Sequence, residues 1–296
     1  MRRATRRPRN AALVAAIRGT GLAVGALPVS FGLALGRGLG RAAHRVLGTP
    51  RRLALAHVGI AFPEWSTQRR QEVVRTMFEH AGASFAELSL WPRLRDGDYV
   101  HLDPGGAAVL DDALAGGRGA VVITGHVGNW ELLAAAMAHR GYPVTVVARR
   151  VNDERFNALV ASIRAGAGLR VVDRDDPRLV HTLREDLAQG RIVALLIDQD
   201  TRGAGVWVPF FGVPARTPPG AAVLALRARA PLVTAFIERR PEGGHLIRLH
   251  PVEDVEGRSR DRIVALTARM TAAIEAQIRH NPAEWVWWHQ RWRRRA

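Results

Sequence analysis

The chain of 296 residues contains no cysteine, no lysine, only two tyrosines, and no aspartate or glutamate ahead of Glu64. Without cysteine there is no disulfide framework, no thiol nucleophile and no thiolate metal site. Without lysine, a Schiff-base mechanism and a phosphate-binding loop that grips with lysine are excluded. All 43 basic side chains are therefore arginine, and a GC-rich coding bias, which also enriches Ala and Gly, accounts for part of that number. Their placement says more. Of a formal net charge of +16, the largest share comes from residues 1–63, which hold eleven arginines and no acid. The remainder is nearly balanced, unlike a uniformly basic nucleic-acid binder. Length and a 47% hydrophobic composition allow a full-sized core.

The first segment, residues 1–48, opens with Arg2, Arg3, Arg6, Arg7 and Arg9 and turns apolar from Ala11 to Gly40. Arg18 and Pro28 interrupt the run and no small-residue cleavage site follows, against a secretory signal; serine is too scarce for a transit peptide. A membrane-associating arm fits best. The uncharged stretch Gly19 to Gly36 is about long enough to cross a bilayer core, yet its glycines and Pro28 equally suit a shallow insertion. Flanking arginines place such an arm on the cytoplasmic side and draw it to anionic lipid.

Residues 49–296 read as one further unit. Ser66 is a helix cap, and Val73, Met77, Phe78, Ala81, Phe85 and Leu88 recur at helical spacing up to Pro92. From Tyr99 onward, short β-branched runs alternate with amphipathic helices. Strands are expected at 120–124, 144–148, 169–173, 191–197, 206–211, 232–238 and 246–249. Helices are expected from Asp103-Pro104 to Gly116, at 129–140, 153–165, 177–189 and 261–279. This alternation predicts an α/β fold, a largely parallel central sheet flanked by helices, with the N-terminal apolar helical arm added to it.

Chemistry in such sheets gathers where strands end and helices begin. The most informative junction is Thr124-Gly-His-Val-Gly-Asn-Trp-Glu131. His126 sits in a glycine-rich turn and Asn129 caps the next helix. Glu131, five residues after the histidine, is within reach to fix its tautomer, the role an acid plays in a Ser-His-Asp triad. Histidine is suited to take a proton from an alcohol, and the helix N-terminus supplies N–H groups for an oxyanion. A satisfied polar turn is the bland alternative. One His and one Glu are too few for a metal, and neither HExxH nor GxSxG occurs.

His126-x4-Glu131 after a strand resembles the His-x4-Asp/Glu signature of glycerolipid-type acyltransferases, most closely the late lauroyl/myristoyl acyltransferases of lipid A biosynthesis. The resemblance runs from about Leu27 to Trp292. It rests on an ordered set: Arg52 to Pro63, Gly125 to Glu131, Val147 to Arg150, Asp198-Gln-Asp200 with Val208 to Gly212, and Pro282 to Trp292. It implies transfer of an acyl chain from acyl carrier protein, or less often acyl-CoA, to a hydroxyl of a lipid A precursor at the cytoplasmic face of a bacterial inner membrane. Another phosphoglycolipid, such as a phosphatidylinositol mannoside, or a lysophospholipid is the alternative acceptor. His126 would be the general base and Glu131 its partner, with no metal, organic cofactor or nucleic acid involved. Asn129, Arg149, Asp198, Asp200 and Arg202 would contact substrate; for Arg149 a surface salt bridge competes, for Asp200 a loop turn, for Arg202 a solvated charge. Two places depart from the family pattern: Val151 follows Arg149-Arg150 where a proline is usual, and Gln199 varies the residue between the two aspartates. Four of the eight tryptophans, Trp285, Trp287, Trp288 and Trp292, fall in the last twelve residues, interleaved with arginine. Membrane-interface, RNA-stacking and core readings compete there.

Overall fold

The computed structural model describes residues 6–149, 154–201 and 203–292. The N-terminal third is helical, comprising α1 (Arg6–Ala26), α2 (Val29–Val46), α3 (Gly48–Ala61) and α4 (Thr67–Leu94). Pro28 separates α1 from α2, because its ring and missing N–H do not fit a helix interior. The Gly19–Gly36 stretch is thus divided between two helices, and no described helix is long and apolar enough to cross a membrane. On α2, Gly32, Gly36 and Gly40 lie on one face; Gly36 and Gly40 meet α4 almost backbone to backbone and Gly32 meets the Leu90 side chain, and a Cβ on Gly40 would stand 2.1 Å from the Phe78 carbonyl oxygen. The face about a quarter-turn away carries exposed Phe31, Leu35 and Leu39.

Ser66 caps α4 by accepting the Arg69 N–H at 3.2 Å. The helix continues past Pro92 to Leu94, further than expected, since the proline falls in the last turn and costs only one bond there. The body follows as β1 (Val100–Leu102), α5 (Pro104–Ala115), β2 (Ala120–Thr124), α6 (Trp130–His139), β3 (Val144–Ala148), α7 (Glu154–Gly166), β4 (Arg170–Asp173), α8 (Leu179–Ala188), β5 (Ile192–Leu196), β6 (Val206–Phe210), β7 (Val213–Thr217), α9 (Gly220–Ala228), β8 (Leu232–Arg239), β9 (His245–Pro251) and α10 (Ser259–His280).

Seven strands form one sheet in the order β1-β9-β8-β2-β5-β3-β4, parallel except where β8 meets β9. All five residues of β2 are buried, as a central strand covered on both faces requires. Val121 and Ile123 join a core with α8, α9 and α10, while Ala120 and Val122 join a second core with α4, α5 and α6. The largely parallel α/β expectation is met.

The expected strand at 206–211 exists but lies outside this sheet, in a hairpin with β7. Phe211 and Gly212 turn that hairpin at φ +53° and +72°. Neither β7 nor α9 is anticipated by the sequence reading. Val213–Thr217 carries a proline and lacks alternation, and α9 follows directly on Pro218 and Pro219.

Candidate functional site

The parallel strands β2 and β5 are neighbours in register, Thr124 opposite Leu196. Residues two positions beyond each strand end therefore meet, and these are His126 and Asp198. The His126 Nδ1 lies 2.8 Å from Asp198 Oδ1, while the Asp198 Oδ2 accepts the His126 backbone N–H and the Trp285 indole N–H, each at 2.8 Å. Burial by itself would raise the Asp198 pKa; the His126 charge and these hydrogen bonds outweigh it and hold the carboxyl well below its ordinary range. A buried carboxylate at Nδ1 fixes the proton there and leaves Nε2 as the acceptor. The edge of Trp130 packs against the imidazole, ring centroids 4.8 Å apart.

The His126 turn is sutured by the C-terminal segment. Gly128 donates its N–H to the Glu284 carbonyl and Val286 donates to the His126 carbonyl, at 3.0 and 3.1 Å. Gly128 has φ +62°, and a Cβ there would stand 2.0 Å from the Ile237 carbonyl oxygen, so only glycine fits. Trp285 and Trp287 are fully buried, which settles them as core. Arg291 is buried with them and donates to the Thr217 hydroxyl at 2.6 Å and to the Arg216 carbonyl at 2.9 Å.

Beside the histidine, an apolar cavity of about 110 Å³ opens between the sheet and α6, lined by Thr124, Trp130, Leu133, Met137, Val146 and Leu196 among others. Glu131 and Arg164 stand on its wall.

A family model described as bacterial lipid A biosynthesis acyltransferase matches residues 2–294. The chain belongs to that family. It is 30% identical over 192 residues to a phosphatidylinositol mannoside acyltransferase of Mycobacterium tuberculosis, covering 64% of this chain and 59% of the relative. It is 28% identical over 285 residues to the lipid A biosynthesis lauroyltransferase of Escherichia coli K12, covering 91% and 87%. To the lipid A biosynthesis myristoyltransferase of the same organism it is 25% identical over 254 residues, covering 84% and 77%. The chain thus spans about three fifths of the mycobacterial relative's length.

In this family member the acid that orients the histidine differs from the one expected. Glu131 does not pair with His126. It receives a two-pronged contact from the Arg164 guanidinium, Nε to Oε2 at 3.0 Å, because α6 starts at Trp130 and its first turn carries the Glu131 side chain toward α7. Asn129 is also turned inward. Its Oδ1 caps α6 by accepting the Leu132 N–H and its Nδ2 donates to the buried Glu87 carboxylate at 2.9 Å, so the side chain is committed to the protein rather than to a substrate. Arg149 does stand at the His126 end of the sheet, exposed and paired with Asp175 at 3.8 Å, the surface ion pair that competed with a site role. Asp200 is half-buried two residues beyond Asp198, where its charge reaches the Arg291 guanidinium. Arg202 and Arg150 lie outside the described residues.

Sequence reasoning missed three contributors. Trp285 braces Asp198, and Gln199 and His289 crowd the imidazole from the solvent side. Gln199 adjoins a singled-out aspartate, but His289 is more than 160 residues from His126 and carries no local signal.

Glu284, which sutures the turn through its carbonyl, also has a buried carboxyl. Its Oε1 accepts the Arg239 N–H at 3.1 Å, and Oε2 has no hydrogen-bond partner among the described residues. Burial pushes its pKa from 4.5 up to about 7, with the Glu238 and Glu87 charges adding to the rise. A raised folded-state value favours the protonated form. The stability this contributes is fully present below pH 4.5 and is lost as pH rises through about 7. The loss amounts to about 3 kcal/mol. Glu284→Gln is therefore expected to flatten the fall in melting temperature between pH 5 and pH 8; an unchanged slope in thermal melts would contradict the assignment.

Proposed function

We propose that this protein is a membrane-associated O-acyltransferase that moves a fatty acyl chain from a carrier thioester to a hydroxyl of a phosphorylated glycolipid. The observation that carries the reading is the His126–Asp198 pair at the ends of β2 and β5, with Trp130, which packs on the imidazole, lining an apolar cavity. Neutral His126, protonated at Nδ1 by its contact with Asp198, takes the hydroxyl proton at Nε2. The acceptor oxygen attacks the thioester carbonyl directly, and the departing thiolate recovers the proton from Nε2. No covalent enzyme intermediate is needed, in keeping with a chain that has no cysteine. The cavity takes the part of the acyl chain nearest the carbonyl, since an apolar space of this order accepts a small hydrocarbon. Glu131 and Arg164 brace its wall. The donor is acyl carrier protein in preference to acyl-CoA, because a chain with a net charge of +16 attracts an acidic carrier.

Attachment to the membrane is interfacial on this reading. Along α2, exposed Phe31, Leu35 and Leu39 run beside exposed Arg37, Arg41 and Arg45. An apolar stripe flanked by guanidiniums suits the headgroup boundary of an anionic bilayer and supports a position at the cytoplasmic face of the inner membrane.

A lipid A precursor and a phosphatidylinositol mannoside both offer sugar hydroxyls and phosphate. The family model and the long match to the lauroyltransferase favour the first; the higher identity to the mycobacterial enzyme favours the second. Mass spectrometry of the host's glycolipids separates them. Deleting the gene is expected to remove one acyl chain from one of these lipids, and wild type but not His126→Ala is expected to restore it. An unaltered glycolipid profile would overturn the reading.

A further inference from the structure

The oxyanion formed when the acceptor attacks the thioester needs a hydrogen-bond donor, and three of the turn's own N–H groups near the histidine are already used. The His126 N–H goes to Asp198, the Gly128 N–H to the Glu284 carbonyl and the Leu132 N–H to the Asn129 side chain. A side-chain amide stands in the vacant direction. Gln199, exposed on the loop after β5, places its Nε2 3.1 Å from His126 Nε2 and 2.7 Å from His289 Nδ1. The imidazole of His126 keeps its proton at Nδ1 against Asp198, so Nε2 can only accept, and the Gln199 atom facing it is an N–H. Burial holds the His289 pKa down at about 4. At neutral pH His289 is therefore uncharged, and its Nδ1 accepts the second Gln199 N–H.

We propose that Gln199 is a catalytic residue, the donor that stabilises the thioester oxyanion, and that His289 is a positioning residue that anchors its amide. The inference rests on the acyl-transfer reading above. In the resting protein one Gln199 N–H occupies the lone pair of His126 Nε2. When the acceptor hydroxyl takes that place, its proton passes to Nε2, its oxygen bonds to the carbonyl carbon, and the C=O electron pair moves onto the carbonyl oxygen. That oxygen and the attacking oxygen share one carbon, so a donor displaced from Nε2 by a short swing meets the new charge. Collapse restores the C=O bond and expels the thiolate, which takes the proton from Nε2, and the amide returns to the imidazole.

The test uses the full-length protein with lauroyl-acyl carrier protein and a glycolipid extract from a host lacking the gene. Gln199→Ala is expected to lower kcat by about 10²–10³-fold with little change in KM, the usual cost of one oxyanion donor. Gln199→Glu, the same shape without an N–H, is expected to be at least as poor, and Gln199→Asn to recover part of the rate. His289→Ala is expected to lose less than Gln199→Ala and to add nothing in the double variant. A Gln199→Ala rate equal to or above wild type, in an assay where His126→Ala is inactive, overturns this role and leaves the acyl-transfer reading standing. Absence of transfer by wild type overturns both. The contact itself is read without turnover, by the rate of His126 carbethoxylation with diethyl pyrocarbonate. It is expected to rise in Gln199→Ala, and equal rates would overturn the resting contact.

Discussion

Asp198→Asn is expected to lower the acyl-transfer rate by about 10³–10⁴-fold while leaving the fold intact, the size of loss that follows when the base of a triad is held in the wrong tautomer. The direction is set by the two N–H groups that converge on one carboxylate oxygen. His126 N–H and Trp285 indole N–H both need an acceptor at that point, each at 2.8 Å. An asparagine must turn its amide oxygen to them and so aim its NH₂ at His126 Nδ1. The ring can answer only by accepting at Nδ1 and carrying its proton on Nε2, where it has no lone pair for the hydroxyl proton. Glu131→Gln is expected to do much less, since it weakens the contact with Arg164 on the cavity wall and leaves the His126 tautomer alone. Paired measurement of kcat for the two variants checks the assignment, with circular dichroism confirming the fold. Equal losses, or a greater loss at Glu131, would return the orienting role to the acid within the His-x4-Glu motif.

That motif shows how far the sequence carries the site. The histidine was legible because a buried β-branched run ends at a glycine turn and a capped helix follows, and the structure places β2, Asn129 and α6 accordingly. Its acid was not legible, because the answer depends on strand order. After β2 the chain builds β3 and β4 to one side and returns with β5 between β2 and β3. Only that insertion sets the end of β5 beside the end of β2 and brings residues 126 and 198 together. Glu131 is near in sequence yet is carried off by the rotation of the first turn of α6. The same limit applies to Trp285 and His289, which reach the site through a C-terminal segment paired with the turn. Periodicity located the strands from β2 to β5 within a residue or so; it had no hold on β7, a short proline-bearing strand that exists because β6 is there to pair with it.

Gly40→Val is expected to destabilise the protein by about 3 kcal/mol, at the upper end of the usual cost of overpacking, because the intruding atom meets backbone rather than a movable side chain. A Cβ at Gly40 would lie 2.1 Å from the Phe78 carbonyl oxygen and 2.9 Å from the Glu79 Cα. Gly36 is nearly as close to α4, with the Gly82 carbonyl oxygen 2.6 Å away. The two helices therefore have to part along the whole Gly32-Gly36-Gly40 row, and α2 loses the seat that fixes the direction of Phe31, Leu35 and Leu39. Gly38 supplies the control on the same helix. A Cβ there meets nothing within 4 Å, and Gly38→Ala is expected to stabilise by up to about 1 kcal/mol through helix propensity alone. Thermal melts and limited proteolysis read both. Leu39→Ser, on the outer face, is expected to leave the melt unchanged and to weaken binding to vesicles containing anionic lipid. If Gly40→Val melts like wild type, the tight seat of α2 on α4 is wrong. If Leu39→Ser binds vesicles undiminished, the membrane lies against some other face, and the glycine row serves only to close the core.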